Sequence, residues 1–325
     1  SHVMLPPGTK MCSIEIIDSR YELLASDVML VPFQPPAIRP MPGYDIQPKY
    51  IPPNPQVYAR DDFIPSMPIK SSDGGVLSGY SIADFIVFPV RYNPLQRKLE
   101  YLKTLKVSVK YDDTQVLLPA RRSNKSQAIC SRVVAELVEN PQMIEMYSAA
   151  WSLDAGAKDY AIICLETYSS LTAMNDFSLS LRRQGWNDTI ITIESTLSYP
   201  GMDTAEKVRN AIKDIYISDG IAAVVLVGDN SVGTLRNAFA MECGAGFYTD
   251  EDTIPADLYY SDLDGDWNYN AAPPFGEIAD SIDMYPDVIV GRISVSSTTQ
   301  FTGWVDKYVR YVEAPPVGFG AEALL

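Results

Sequence analysis

Short apolar runs that alternate with helical segments place the strongest constraint on the fold of this chain. Tyr160–Leu165 and Ala222–Val227 contain no charged residue, as expected for parallel strands that are covered on both faces. Thr189–Ile193 and Val288–Val290 continue the series. Since strand–helix–strand units cross over right-handed and build parallel sheets, the pattern predicts an α/β domain with a mostly parallel sheet and helices on both faces.

The segments between these runs have the features of helices. The residues after Leu165 have a helical pattern as far as Gly185, which is a suitable C-terminal cap. Asp203 or Thr204 is expected to cap the next helix. A last helix is expected over Thr298–Val312, where large apolar side chains recur at helical spacing.

The first 120 residues differ in character, because they are rich in proline, which disfavours helices. Apolar and polar residues alternate over Tyr101–Lys110, as in a strand with one buried face. Further strands are expected at Ser13–Ile17, Tyr21–Leu30, Tyr80–Val90 and Leu99–Tyr111. Residues 1–120 are therefore predicted to form a small all-β sandwich or barrel.

A basic segment, Arg121–Ser126, separates the two parts. One interpretation is a solvated linker, and the other is a protease-sensitive junction between a pro-domain and the domain that follows. Residues 131–150 are expected to be helical, with Val133, Val134, Leu137 and Val138 on one face. Residues 121–157 are thus predicted to be a basic linker and a helix.

Composition excludes several functional classes. The 325 residues suffice for two domains, and the net charge of −15 argues against nucleic acids and anionic membranes as partners. The only histidine is His2, within Ser1–Met4, which resembles the remnant of a cleaved tag. The other residues therefore cannot supply a Cys–His dyad. The cysteines lack the CxxC spacing of a zinc site, and they are Cys12, Cys130, Cys164 and Cys243.

Two loop segments are expected to be structural rather than catalytic. Gly228-Asp229 follows the third apolar run without the GxGxxG pattern, which argues against a dinucleotide site. Asp229 is expected to be a turn residue or a helix cap. Cys243 lies in a predicted loop with no histidine to activate it, and Cys164 lies within an apolar strand.

The most chemically distinctive segment is an acidic loop at residues 262–270. Oxygen-bearing side chains stand at every second position, and calcium binds six to eight such oxygens. The match to an EF-hand is imperfect, because Gly265 is the fourth residue and Pro273 the twelfth. The predicted ligands of a structural Ca²⁺ ion are Asp262, Asp264, Asp266, Asn268 and, from further along the chain, Glu277. The alternative is a solvated acidic loop that binds no metal.

Four blocks in order carry a family resemblance. They are Tyr160–Ile163, Val225–Asp229, Ile254–Asp262 and Tyr285–Ile293, preceded by Phe88–Pro94 in the first region. Together they make residues 158–313 similar to the gingipain family of cysteine peptidases, whose domain is caspase-like, and make the first region similar to the pro-domain of that family.

The resemblance implies an exported endopeptidase that acts on protein or peptide substrates, secreted or held on the surface of a bacterial cell. It implies a pro-domain at residues 1–120 and the N-terminal part of a caspase-like peptidase domain at residues 158–325. In the family, the catalytic histidine and cysteine follow the helix at which this chain stops. No residue here is therefore assigned a catalytic role, and the remaining C-terminal part of the peptidase is an expected partner. The alternative function is a calcium-stabilised binding or inhibitory module without catalysis.

Overall fold

The computed structural model describes residues 1–34, 50–72, 74–113, 118–147, 151–229, 237–238, 254–271, 275–276, 280, 282, 284–316 and 318. The chain divides into two compact units. The first comprises Ser1, Met11–Ser72 and Asp84–Lys110, and the second comprises His2–Lys10, Asp73–Ala83 and Tyr111–Leu325. Residues 111–157 thus group with the α/β part of the chain, whereas the predicted boundaries at residues 120 and 157 stay predictions.

Strands dominate the first half of the described chain, with one short helix. The strands are β1 His2–Met4, β2 Thr9–Ala25, β3 Ile69–Ser71, β4 Gly75–Leu77, β5 Tyr80–Val87, β6 Val90–Asn93 and β7 Lys98–Asp113, and the helix is α1 Pro55–Tyr58. The second half alternates strands with helices. Its strands are β8 Arg121–Arg122, β9 Ser152–Leu153, β10 Tyr160–Cys164, β11 Asp188–Thr192, β12 Ala223–Val227, β13 Asn237–Ala238, β14 Ile254–Pro255 and β15 Ile289–Ile293. Its helices are α2 Asn124–Leu137, α3 Ile144–Tyr147, α4 Glu166–Ser169, α5 Thr172–Arg183, α6 Ile193–Thr196, α7 Thr204–Asp219 and α8 Thr298–Glu313.

The first unit is built on antiparallel strands, which confirms the predicted all-β class of this region. Strands β2, β7 and β6 form one sheet, and β6 and β7 form a hairpin in which Val90 faces Tyr101 and Asn93 faces Lys98. The prediction of two separate strands near the N-terminus was wrong, because β2 runs unbroken from Thr9 to Ala25. That stretch contains no proline or glycine to interrupt it.

The second unit contains the predicted parallel sheet, in the order β11-β10-β12-β15. Every neighbouring pair is parallel. The central strands are covered on both faces, which explains why β10 and β12 are apolar throughout. The predicted α/β class is confirmed.

Each face of this sheet has its own apolar core. Helix α7 covers one face with Val208, Ile212 and Tyr216, all fully buried. Helices α5 and α8 cover the other face, where Phe177 and Phe301 are buried. Among the described helices, none is long and apolar enough to span a lipid bilayer.

Local capping chemistry sets the helix ends much as expected. Asp203 caps α7 by accepting a hydrogen bond from the Glu206 amide, and Gly220 ends that helix in the left-handed conformation at φ +62°. Helix α2 begins earlier than predicted, because the Ser123 side chain accepts a hydrogen bond from the Ser126 amide and starts the helix there. Of its predicted apolar face, Val134 is fully buried.

The interpretation of the basic segment as a solvated linker was wrong. Arg121 and Arg122 form β8, which pairs in parallel with β9. The Arg122 side chain is completely buried. The ion pairs and aromatic rings that hold these two arginines could not be inferred from local sequence, since they come from distant parts of the chain.

Candidate metal centre

The acidic loop lies against the start of β15, at the amino end of that strand. A 3-10 turn over Asp257–Tyr260 precedes it, and the Asp262 amide donates to the Leu258 carbonyl at 3.0 Å. The Asp287 amide, just before β15, donates to the Ser261 carbonyl at 2.8 Å. These backbone bonds bring Asp287 beside the loop although 25 residues separate it from Asp262.

Three carboxylates converge at this point: Asp262, Asp264 and Asp287. Each offers an oxygen atom, and these oxygens all lie within 4.8 Å of one another. Asp262 and Asp287 are completely buried. One oxygen of Asp262 accepts the Gly265 amide at 2.8 Å, and one oxygen of Asp287 accepts the Leu263 amide at 2.9 Å. The loop backbone therefore orients both buried carboxylates.

Helix α7 contributes two cations to the surroundings of the cluster. The guanidinium of Arg209 hydrogen-bonds mainly to backbone carbonyls. Its Nη2 donates to the Asp262 carbonyl at 2.6 Å and to the Gly265 carbonyl at 2.8 Å. Its distance to the Asp262 carboxylate is longer, at 3.9 Å. Arg209 thus fixes the shape of the loop, and its charge only partly offsets the three carboxylates.

Burial and mutual repulsion perturb the titration of this cluster. Burial raises the pKa of Asp262, although the Gly265 amide and Arg209 oppose the change. Burial, together with repulsion from Asp262, raises the pKa of Asp264 to about 6. Burial lowers the pKa of Lys213, and the charge of Arg209 lowers it further. The nearby cations therefore do not fully compensate the negative charge of the buried carboxylates.

Gly265 is required at the turn of the loop for a steric reason. A Cβ atom at this position would lie 2.7 Å from both carboxylate oxygens of Asp262. Any side chain here would displace the Asp262 carboxylate. The glycine therefore allows the loop backbone to approach the cluster closely.

The donor set fits a hard divalent cation. Carboxylate and amide oxygens are the ligands that calcium prefers. The Oδ1 atoms of Asp264 and Asn268 are buried, and neither has a hydrogen-bond partner among the described residues. An ion held by Asp262, Asp264 and Asp287 would compensate their mutual repulsion and would give the Asp264 oxygen a partner.

The predicted ligands are only partly brought together. Asp262 and Asp264 belong to the cluster, but the exposed Asp266 does not, and its Oδ1 instead accepts the Asn268 amide at 3.1 Å. Glu277 lies outside the described residues. Asp287 was not among the predicted ligands, and its only local signal is its position directly before an apolar strand.

No Cys–His dyad forms among the described residues. Cys164 is completely buried, and burial raises the pKa of its thiol to about 12, with a further contribution from Glu194. The prediction that Cys164 is part of the core is confirmed. The His2 ring nitrogen Nδ1 lies 3.1 Å from the Tyr285 hydroxyl. Cys243 falls outside the described residues.

A second charged group lies towards the carboxyl end of the sheet. Arg292 of β15 forms a two-pronged ion pair with Asp257, with its shortest bond at 2.6 Å, and donates to the Gly228 carbonyl at 3.0 Å. The neighbouring Asp229 amide donates to the Val295 carbonyl at 3.1 Å, beyond the paired ends of β12 and β15, and its role as a turn residue or a helix cap stays a prediction. Arg292 therefore ties the end of β12 to the turn that precedes the acidic loop.

Comparison with known proteins identifies two family matches, one after the other along the chain. The model of peptidase family C25 matches residues 154–322, and the model of the C25 propeptide matches residues 7–140. No curated protein matches the chain. The complex of RgpB pro- and mature domains from Porphyromonas gingivalis is similar at 19% identity over 43% of this chain and 69% of that chain, with a TM-score of 0.31. A structure concerning the zymogenic latency of gingipain K from the same organism is similar at 20% identity over 34% of this chain and 60% of that chain, with a TM-score of 0.25.

Proposed function

The chain belongs to peptidase family C25, and from this premise we propose that it comprises the pro-domain and the N-terminal part of the peptidase domain of a cysteine endopeptidase zymogen. One observation carries the proposal: a C25 propeptide match at residues 7–140 precedes a C25 peptidase match at residues 154–322 in one polypeptide. The substrates would be proteins or peptides.

The residues that break the peptide bond are proposed to lie C-terminal to residue 325. The described residues support this, because the only histidine pairs with Tyr285 and Cys164 is a buried, weakly acidic thiol. In the complete enzyme, a thiolate would attack the substrate carbonyl, a histidine would carry the proton, and backbone N–H groups would stabilise the oxyanion. The parallel sheet described here would serve as the scaffold for that site.

A covalent probe tests this assignment. The 325-residue chain and a version extended to the end of its gene are each incubated with an epoxide probe that labels cysteine peptidases. Labelling of the extended chain alone, at a cysteine beyond residue 325, is the expected result. Labelling or peptide hydrolysis by the 325-residue chain would refute the placement of the catalytic residues. No labelling of the extended chain, even after limited proteolysis has removed its pro-domain, would refute the peptidase function.

We further propose that the acidic loop binds one structural Ca²⁺ ion. Asp262, Asp264 and Asp287 would hold it, and Asn268 would add its buried amide oxygen. The support is the convergence of three carboxylates within 4.8 Å and the buried oxygen atoms that lack partners within the described part of the chain. The ion would supply positive charge that keeps the carboxylates ionised at neutral pH. The residues of this chain would orient the ligands through the Gly265 and Leu263 amides.

Terbium binding offers a readout that does not depend on activity. Trp267 is a buried residue of the loop itself, so excitation of its indole should sensitise the luminescence of Tb³⁺ bound at the calcium site. Calcium is expected to displace the signal, and Asp287→Asn is expected to abolish it, whereas Asp266→Asn, in the exposed part of the same loop, should leave it unchanged. An equal response of the two variants would contradict the proposed site.

An exported location is the third part of the proposal, either secreted or on the cell surface. The supporting observations are the net charge of −15 and a calcium-type ligand set, which suits a compartment rich in calcium. Fractionation of the source cells with an antibody to the chain tests this. Recovery of the protein only from the cytosol would refute it.

A further inference from the structure

The paired arginines at residues 121 and 122 are integrated into the second unit of the fold. Their strand, β8, is parallel to β9. The Arg122 carbonyl accepts the Asp154 amide at 2.8 Å, and the Ala120 amide donates to the Ile217 carbonyl at 2.7 Å. The backbone on both sides of the two arginines is therefore hydrogen-bonded to segments that follow it by about 30 and about 100 residues.

The side chain of Arg121 bridges two carboxylates. It lies 2.6 Å from Asp154 and 2.6 Å from Asp219, and it also donates to the Ser218 carbonyl at 3.2 Å. Asp154 and Asp219 both belong to the segment that matches the peptidase family, whereas Arg121 belongs to the segment that matches the propeptide. The ion pairs thus connect the two matched segments.

The side chain of Arg122 packs among aromatic rings. Its guanidinium carbon lies 4.5 Å from the centre of the Trp151 ring and 5.9 Å from that of Tyr80, and Tyr147 packs against both rings. Nη2 donates to the Ser78 carbonyl at 2.6 Å. No carboxylate pairs with Arg122 within the part of the chain that the structure describes, and its buried Nε and Nη1 atoms have no hydrogen-bond partner there, so the aromatic faces and one carbonyl offset its buried charge only in part.

The peptide bonds around the two arginines are covered, although the Arg121 side chain itself is 39% exposed. A Cβ atom added to Gly220 would lie 2.3 Å from the Arg121 carbonyl oxygen, so the end of α7 packs directly against that bond. The next residue, Ser123, is buried and caps α2. A protease requires an extended, accessible segment, and folded β-strands and helix caps do not offer one.

From this packing we propose that Arg121–Arg122 is a latch, which fastens the end of the propeptide segment to the peptidase segment and protects its own peptide bonds from trypsin-like cleavage. The latch opens only when the second unit unfolds locally. The consequence for maturation rests on the proposed zymogen function: the maturing cut of the zymogen does not fall at these two arginines, although their sequence suggests a dibasic processing site.

The chain contains its own control for a proteolysis experiment. Arg97 and Lys98 are also adjacent basic residues, but Arg97 lies in the exposed turn between β6 and β7, and its side chain is 56% exposed. Limited digestion with trypsin, followed by peptide mass spectrometry over time, compares the two sites in one molecule. Cleavage after Arg97, which lies in the turn before β7, should precede cleavage after Arg121 or Arg122 by at least about a hundredfold in rate, since native-state cleavage follows the population of the open form.

Two mild variants test the cause of the protection. Arg122→Lys keeps a trypsin target but loses the planar group that stacks on Trp151, and it should raise cleavage at residues 121–122 by about tenfold. Asp154→Asn keeps the bond to the Gly156 amide but loses the ion pair with Arg121, and about a threefold increase is expected. Arg97→Lys, in the exposed turn, should leave cleavage at residues 121–122 unchanged.

Either of two results would overturn the latch. The first is cleavage of the wild-type chain at Arg121 or Arg122 as fast as at Arg97. The second is an unchanged rate at residues 121–122 in both Arg122→Lys and Asp154→Asn while circular dichroism shows both to be folded. The experiment uses no catalytic readout, so it stays informative even if the covalent probe refutes the peptidase function.

Discussion

Asp264→Asn should make the calcium-free protein more stable at neutral pH. The folded state raises the pKa of Asp264 from 3.8 to about 6, through burial and repulsion by Asp262. The native state therefore binds more protons than the unfolded chain between these two values, and stability falls as pH rises through that window. Stability from this group is fully present below about pH 4 and is lost above about pH 6.

The size of the effect follows from the same two values. Each pKa unit is worth about 1.4 kcal/mol, so the difference between 3.8 and about 6 corresponds to ~3 kcal/mol. Asparagine has the shape of the carboxyl group without its charge. The stability of Asp264→Asn relative to wild type should therefore rise by up to ~3 kcal/mol between about pH 4 and about pH 7 when a chelator is present.

With calcium present, the wild-type protein should be more stable than Asp264→Asn. An ion that binds the native state alone stabilises it by about 2.7 kcal/mol at a hundredfold excess over its dissociation constant, and the variant lacks one of its ligands. Urea unfolding at several pH values, with chelator and with calcium, measures both effects, and Asp266→Asn provides the matched control. In chelator, the difference in the free energy of unfolding between Asp264→Asn and wild type should change with pH, and a constant difference would refute the reasoning. A pH-dependent gain in stability of the same size in Asp266→Asn would refute it as well.

Three further outcomes can be measured on the same protein. Gly265→Ala places a methyl group 2.7 Å from the Asp262 carboxylate oxygens, and it should cost about 1–3 kcal/mol of stability by urea unfolding and weaken Tb³⁺ luminescence. Arg292→Lys loses the two-pronged pair with Asp257 and should lower the free energy of unfolding by about 2 kcal/mol, and a loss below about 0.5 kcal/mol would show that the pair is not structural. Cys164 should resist alkylation by iodoacetamide in the folded protein at about pH 8, because burial raises the pKa of its thiol to about 12. Rapid alkylation of Cys164, detected by mass spectrometry, would contradict its burial.

The latch and the metal centre are both in contact with helix α7. Both depend on α7, which packs on one face of the parallel sheet. Arg209 and Lys213 of this helix lie beside the acidic loop, while Asp219 at its end pairs with Arg121. We therefore expect that calcium, by stabilising the loop against α7, also slows trypsin cleavage at residues 121–122. Equal cleavage rates there with chelator and with calcium would contradict this coupling.

Local sequence was a sound guide wherever a short stretch decides its own structure. The apolar runs of β10 and β12 and the N-terminal cap of α7 were predictable, because strand burial and Asp203 as a cap depend on neighbours within a few residues. The acidic loop was also recognisable, since alternate oxygen-bearing side chains in one segment are visible without a fold.

Tertiary structure decided which of those side chains act together. Asp287 joins Asp262 and Asp264 only because β15 pairs with β12 and returns the chain to the loop, while Asp266, next in the predicted series, turns outwards. Arg122 could not be assigned from its neighbours, since a basic pair in a polar stretch suggests solvent exposure. The physical reason is the same in both cases: sequence spacing determines the direction of a side chain along its own element, whereas burial and charge compensation depend on elements brought alongside from elsewhere in the chain.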